Sequence, residues 1–129
     1  MKARSIILRG AAVVALMTAP AYAHHGATAY DLSKTITSKA VVTGLTWTNP
    51  HCLLHFDIKD ASGIVTNWSV ELYNPLYLTR AGWSMKSLKA GDDITISFHP
   101  AKNGGPTGYI RVGEGKVVLN GQELSLAQR

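Results

Sequence analysis

The run His51 to Ile58 separates by parity, with Cys52, Leu54, Phe56 and Ile58 on one side and His51, Leu53, His55 and Asp57 on the other. Period two predicts a strand with one buried face. The segment before it, Thr35 to Trp47, is rich in Thr, Val and Ile and holds Gly44, which predicts a long strand that bends or bulges at the glycine. Asn49-Pro50 marks the turn between the two. After the polar stretch Lys59 to Gly63, residues Ile64 to Leu72 predict a third strand, hairpin-paired with the second. Trp68, Val70 and Leu72 share one face of it, and Asn67, Ser69 and Glu71 share the other.

The period then changes. Asn74 as N-cap, Pro75 at the first helical position and Gly82 as a stop predict a helix of about two turns over Pro75 to Ala81. Asp93 to His99 alternates as a fourth strand, and Lys102 to Gly108 reads as a loop. Tyr109 to Leu119 predicts a fifth strand interrupted at Gly113-Glu114-Gly115, and Asn120-Gly121 is a hairpin turn into a short last strand, Glu123 to Leu126. Three strands, a short helix and two or three more strands is the element order of an OB-like Greek-key barrel, a mainly β fold of five to six strands.

The N-terminal residues follow another pattern. Lys2, Arg4 and Arg9 precede an apolar run from Ala11, and Ala21-Tyr22-Ala23 supplies a small-x-small exit, the three-part pattern of a secretory signal peptide over residues 1–23. The apolar centre is well short of the ~20 residues that a membrane-spanning helix needs, so the mature form is expected without a membrane anchor. The expected product begins at His24 and is periplasmic or secreted. It has an extended arm over residues 24–34 and a single β-barrel domain over 35–129. The net charge of +5 overstates the mature balance, because three of the 13 basic residues leave with the leader against 8 acidic residues that stay. No nucleic-acid partner is inferred, since export removes it. With Cys52 as the only cysteine, no intrachain disulfide can form.

The mature sequence resembles a family of small exported bacterial domains of unknown function. The pieces that carry the likeness are His24-His25-Gly26, Tyr30-Asp31, Val42-Thr43-Gly44, Trp47-Thr48-Asn49-Pro50-His51, Trp68-Ser69-Val70-Glu71, Pro75, Leu78-Thr79-Arg80-Ala81-Gly82-Trp83, Leu88 to Asp92, and Pro100. The chain departs from that pattern at Cys52 and His55, where large apolar residues are usual, and at the small Ala27-Thr28-Ala29. The resemblance implies export and a β fold; it brings no activity.

Chemistry must therefore be sought in the residues. Cleavage before His24 frees an α-amine beside a ring Nδ1, and the two can chelate one metal; such nitrogen donors suit Cu(II) in tetragonal geometry. A further imidazole would come from His25, His51, His55 or His99. His51 and His55 lie about 13 Å apart along one strand face, too far to share an ion without a bulge, and His51 at the Asn-Pro turn is the better placed. The plainer alternative is a solvated tail at His24-His25. Cys52, on the apolar parity, reads as a small buried hydrophobe. Glu71 and Arg80 are expected to form a structural ion pair between strand and helix. Trp47, Trp68 and Trp83 are expected in core and rim packing, or as aromatics on a ligand face.

No nucleophilic triad order, phosphate loop, paired CxxC or HExxH appears. Three readings stand: a periplasmic copper-binding protein, a non-metal module that binds a small ligand or a periplasmic partner protein, and a copper-dependent redox enzyme.

Overall fold

The structure, a computed structural model, describes residues 26–128; the leader, the His24-His25 pair and Arg129 lie outside them. The chain enters through a short 3-10 turn, Ala27–Ala29, and then forms strands β1 (Ile36–Thr46), β2 (Leu53–Lys59) and β3 (Val65–Glu71), helix α1 (Pro75–Arg80), and strands β4 (Asp93–Pro100), β5 (Thr107–Tyr109), β6 (Lys116–Leu119) and β7 (Gln122–Leu124).

The ring closes through β1. Its first half pairs antiparallel with β4, from Ile36 opposite Phe98 to Val41 opposite Asp93, and its second half pairs with β2, from Val41 opposite Asp57 to Thr46 opposite Leu53. One strand serves two neighbours because it bends, and the register slips between Val42 and Gly44, at the glycine expected to bulge. β2 pairs with β3, β3 runs parallel to β5, and β5 returns antiparallel to β4. The order β1-β2-β3-β5-β4-β1 is a closed five-stranded Greek-key barrel of OB type, with β6 and β7 added beyond β4 and one short helix between β3 and β4.

The fifth strand is broken as expected, but it starts two residues earlier, inside the segment read as loop. Gly108 belongs to β5 and not to a turn. A Cβ there would collide with the Phe98 ring and the His99 carbonyl, so the glycine answers to close strand packing, which composition alone reads as a loop signal.

The core follows the parity of the strands. Cys52, Leu54 and Phe56 of the second strand region, Val70 and Leu72 of the third, and Ile96 and Phe98 of β4 are buried together. Phe98 sits edge-on to Phe56 at 5.7 Å between ring centroids and 5.2 Å from Trp68. Helix α1 adds buried Leu78, and its ends are capped by sequence. Asn74 Oδ1 accepts the Tyr77 N–H at 2.8 Å. At the other end the Gly82 N–H donates to the Thr79 carbonyl and the Trp83 N–H to the Leu78 carbonyl, with Gly82 at φ +94°. That pair of bonds is a Schellman motif, and buried Leu78 and Trp83 are its apolar partners. The spacing Leu78, Gly82, Trp83 is thus a helix stop. Trp83 also donates Nε1–H to the Ser125 carbonyl at 2.8 Å, which ties the C-terminal segment to the barrel.

Candidate functional site

The β2–β3 hairpin sets the site. Counting outward from its turn, Lys59 lies opposite Val65 and Leu53 opposite Glu71, and past the strand ends the Cys52 N–H still donates to the Tyr73 carbonyl. Residues directly opposite share a face, so His51, Glu71 and Tyr73 emerge on the side away from Cys52 and Leu72, which are buried. The parallel pairing of Glu71 with Tyr109 brings β5 to the same place.

Glu71 is the centre of the cluster. Its Oε1 lies 2.6 Å from His51 Nδ1, and its Oε2 accepts the Tyr30 hydroxyl at 3.0 Å. A carboxylate accepts only, so His51 carries its proton on Nδ1 and donates it, which leaves Nε2 without a hydrogen bond among the described residues. The His51 side chain keeps 40% of its surface open, against 22% for Glu71. This is the arrangement that orients metal-binding imidazoles elsewhere: one ring nitrogen on a carboxylate, the other presented outward.

Tyr30 brings the N-terminal arm to that carboxylate. The arm is fixed by a bridge between Tyr30 and Ala101, by the Asp31 N–H donating to the Pro100 carbonyl at 2.8 Å, and by the Lys102 N–H donating to the Ala29 carbonyl at 3.0 Å. The Tyr30 ring stacks on Tyr109 at 5.5 Å, Tyr109 lies 6.5 Å from Tyr73, and Tyr73 stacks on Tyr77 at 4.3 Å. Burial, followed by the Glu71 charge and hydrogen bond, pushes the Tyr30 hydroxyl up to about 12. Tyr109 is likewise pushed up to about 12, first by burial and then by its bond to Tyr73, so both stay protonated phenols.

The other residues singled out in the sequence lie elsewhere. Glu71 does not pair with Arg80, contrary to expectation; its oxygens are taken by His51 and Tyr30, while Arg80 is exposed on the last turn of α1. The reason is that the Schellman turn directs Leu78 and Trp83 inward and leaves Arg80 on the outer side.

His99 is buried, and both its nitrogens face acceptors: Nδ1 lies 2.7 Å from the Lys34 carbonyl and Nε2 3.1 Å from Glu114. Neither is open to a metal. His55 Nε2 bonds Thr46 Oγ1 at 2.9 Å, beside the Gly44 bulge. Cys52 is fully buried, and burial pushes its thiol up.

Trp83 is buried, and Trp68 and Trp47 pack against the core. The aromatic end of the barrel is built from tyrosines instead. His24 and His25 fall outside the described residues, and among those described no three His, Cys, Asp or Glu side chains gather as a metal site.

A groove of about 800 Å³ crosses β1 and β4 and is lined by residues such as Val41, Asp57 and Ile94, but it shares none with the His51 cluster. Its lining also carries Lys39, Lys59, Asp57 and Asp93, but no histidine.

An OB-type barrel with a histidine–carboxylate–tyrosine cluster where the arm meets β3 and β5 defines the class of protein. The chain belongs to DUF6152, a family of unknown function, whose model matches residues 12–111. No match is found among curated proteins.

Proposed function

We propose that the protein is exported to the periplasm, is cleaved before His24, and binds copper for storage or delivery. The ligands are the α-amine and ring of His24 and Nε2 of His51. The observation that carries this reading is the His51–Glu71 pair, which holds the ring by Nδ1 and leaves Nε2 without a hydrogen bond among the described residues.

Two further points support it. Tyr30, six positions after His24, shares the Glu71 carboxylate with His51, so the arm leaves from beside that ring; with Ala27–Ala29 in a 3-10 turn its reach is shorter than the roughly 20 Å of six extended steps. An amine with two imidazoles also suits Cu(II) better than the harder divalent ions. His25 stands as a second possible arm ligand. His99 drops out of the ligand set, since both its nitrogens are engaged.

A calorimetric Cu(II) titration of mature protein tests the ligand choice. His51→Ala should weaken binding by at least tenfold and His55→Ala by less than twofold. Equal losses in the two variants, or none in either, would defeat the assignment. Because protons compete for the amine and the imidazoles, affinity should fall with pH.

The gathering of Tyr30, Tyr109, Tyr73 and Tyr77 at the same end favours one other reading, a module that stacks a small ligand or a partner's side chain there. Copper-independent binding of a ligand, abolished by Tyr73→Ala, would select it.

A further inference from the structure

Glu71 has two clients. One oxygen takes the His51 ring and the other takes the Tyr30 hydroxyl, so the groups that meet at this carboxylate come from the β1–β2 turn and from the N-terminal arm. Neither could be moved without disturbing the other. We infer that Tyr30 is the positioning residue of the site: its hydroxyl fixes the rotation of the Glu71 carboxylate, and through it the direction of His51 Nε2, while its backbone fixes the point from which the arm returns. The inference rests on the copper reading for its consequence, and its geometry is independent of metal.

The physical argument is one of preorganisation. Glu71 keeps about a fifth of its surface open, and without a second partner its carboxylate can turn and exchange His51 for water. The Tyr30 ring is held by the stack on Tyr109, and its hydroxyl is kept protonated, so it donates across the whole neutral range. A donor that stays protonated at neutral pH and is held by its stacked ring holds the acceptor still. Partners of this outer kind typically contribute 10–100-fold to metal affinity. Linkage makes the effect mutual: if Tyr30 docking favours metal, metal must favour docking by the same factor. Copper loading should therefore slow exchange of the Asp31 and Lys102 amides, the two that tie the arm down. Release of copper would then go with lifting of the arm.

The test compares mature wild type with Tyr30→Phe, which keeps the stacked ring and removes only the hydroxyl. Tyr77→Phe is the control, since its hydroxyl makes no hydrogen bond to Glu71. In metal-free protein the His51 Nδ1 proton should be visible by NMR in wild type and Tyr77→Phe, and exchange-broadened in Tyr30→Phe. A role confined to anchoring the arm would not move that proton. With Cu(II), Tyr30→Phe should bind about tenfold more weakly or worse.

An unchanged Nδ1 proton in Tyr30→Phe overturns the inference whether or not copper binds. A responsive proton in a protein that binds no copper upholds the role of Tyr30 and defeats the copper reading.

Discussion

Replacing Glu71 with Gln keeps the shape of the side chain and removes half of its accepting power. The amide oxygen can take the His51 Nδ1–H or the Tyr30 hydroxyl, but the NH2 group can take neither. One of the two groups must therefore turn to accept from the NH2, His51 through its other tautomer or Tyr30 through its oxygen, and both lose a charge-assisted bond to a carboxylate. A hydrogen bond to a charged group contributes about 1.5–3 kcal/mol where it is buried. His51 is 40% open and Glu71 22%, so water replaces part of the loss. The expected cost at neutral pH is about 1 kcal/mol, a fall in Tm of roughly 4–8 °C for a domain of this size.

The alkaline limb gives a second, sharper reading. Tyr30 in the folded protein is raised above its ordinary value of 10.0 to about 12, with the Glu71 charge as the second cause after burial. A raised folded value means that the folded state holds the proton more tightly. That stabilisation is complete below pH 10 and is lost as pH rises from about 10 through 12. In Glu71→Gln the Tyr30 titration should move down, though not all the way, because burial remains, and the loss of stability between these limits should shrink. Thermal melts across the alkaline range together with tyrosinate absorbance measure both. A variant with the wild-type Tyr30 titration would refute the bond between phenol and carboxylate.

Two backbone predictions follow from the same geometry. Gly82→Ala places a Cβ at φ +94° in the Schellman turn and should cost about 1–2 kcal/mol, read as a lowered urea midpoint with unchanged slope; a neutral effect would mean that the helix ends otherwise. Gly108→Ala sets a methyl against the Phe98 ring and the His99 carbonyl and should cost about 1–3 kcal/mol or more, with near-UV signals of the aromatic core altered; a fully stable variant would contradict the close approach of β5 to β4.

The barrel was legible because its elements announce themselves locally. Parity placed Cys52, Leu54 and Phe56 inside, Gly44 marked the bulge, and Asn74-Pro75 with Gly82 marked both ends of α1. The misreadings came from contacts that no local pattern encodes. Gly108 has the composition of a loop residue, and only the approach of the Phe98 ring accounts for it.

A carboxylate at the end of β3 and an arginine on α1 suggest an ion pair between strand and helix, but hairpin register carries the better answer for Glu71. Counting from the turn puts Glu71 opposite Leu53, two residues from His51, on one face. The tyrosines could not be collected this way. Tyr30 precedes the first barrel strand and Tyr109 ends β5, and they meet because β3 and β5 pair in parallel and the arm crosses the β4–β5 turn. His99, with rim-like spacing, proved to be covered by the Lys34 and Glu114 segments.

The central claim is that the amine freed at His24 is a copper ligand, and moving that amine alone tests it. Mature protein whose intact mass begins at His24 should bind one Cu(II) with an axial spectrum of nitrogen and oxygen donors. The same protein carrying one extra residue before His24 keeps every side chain, and it should lose most of that affinity. Equal copper affinity in the two proteins would mean that the amine is not a ligand, and the account of the site as a copper centre built on His24 would be wrong.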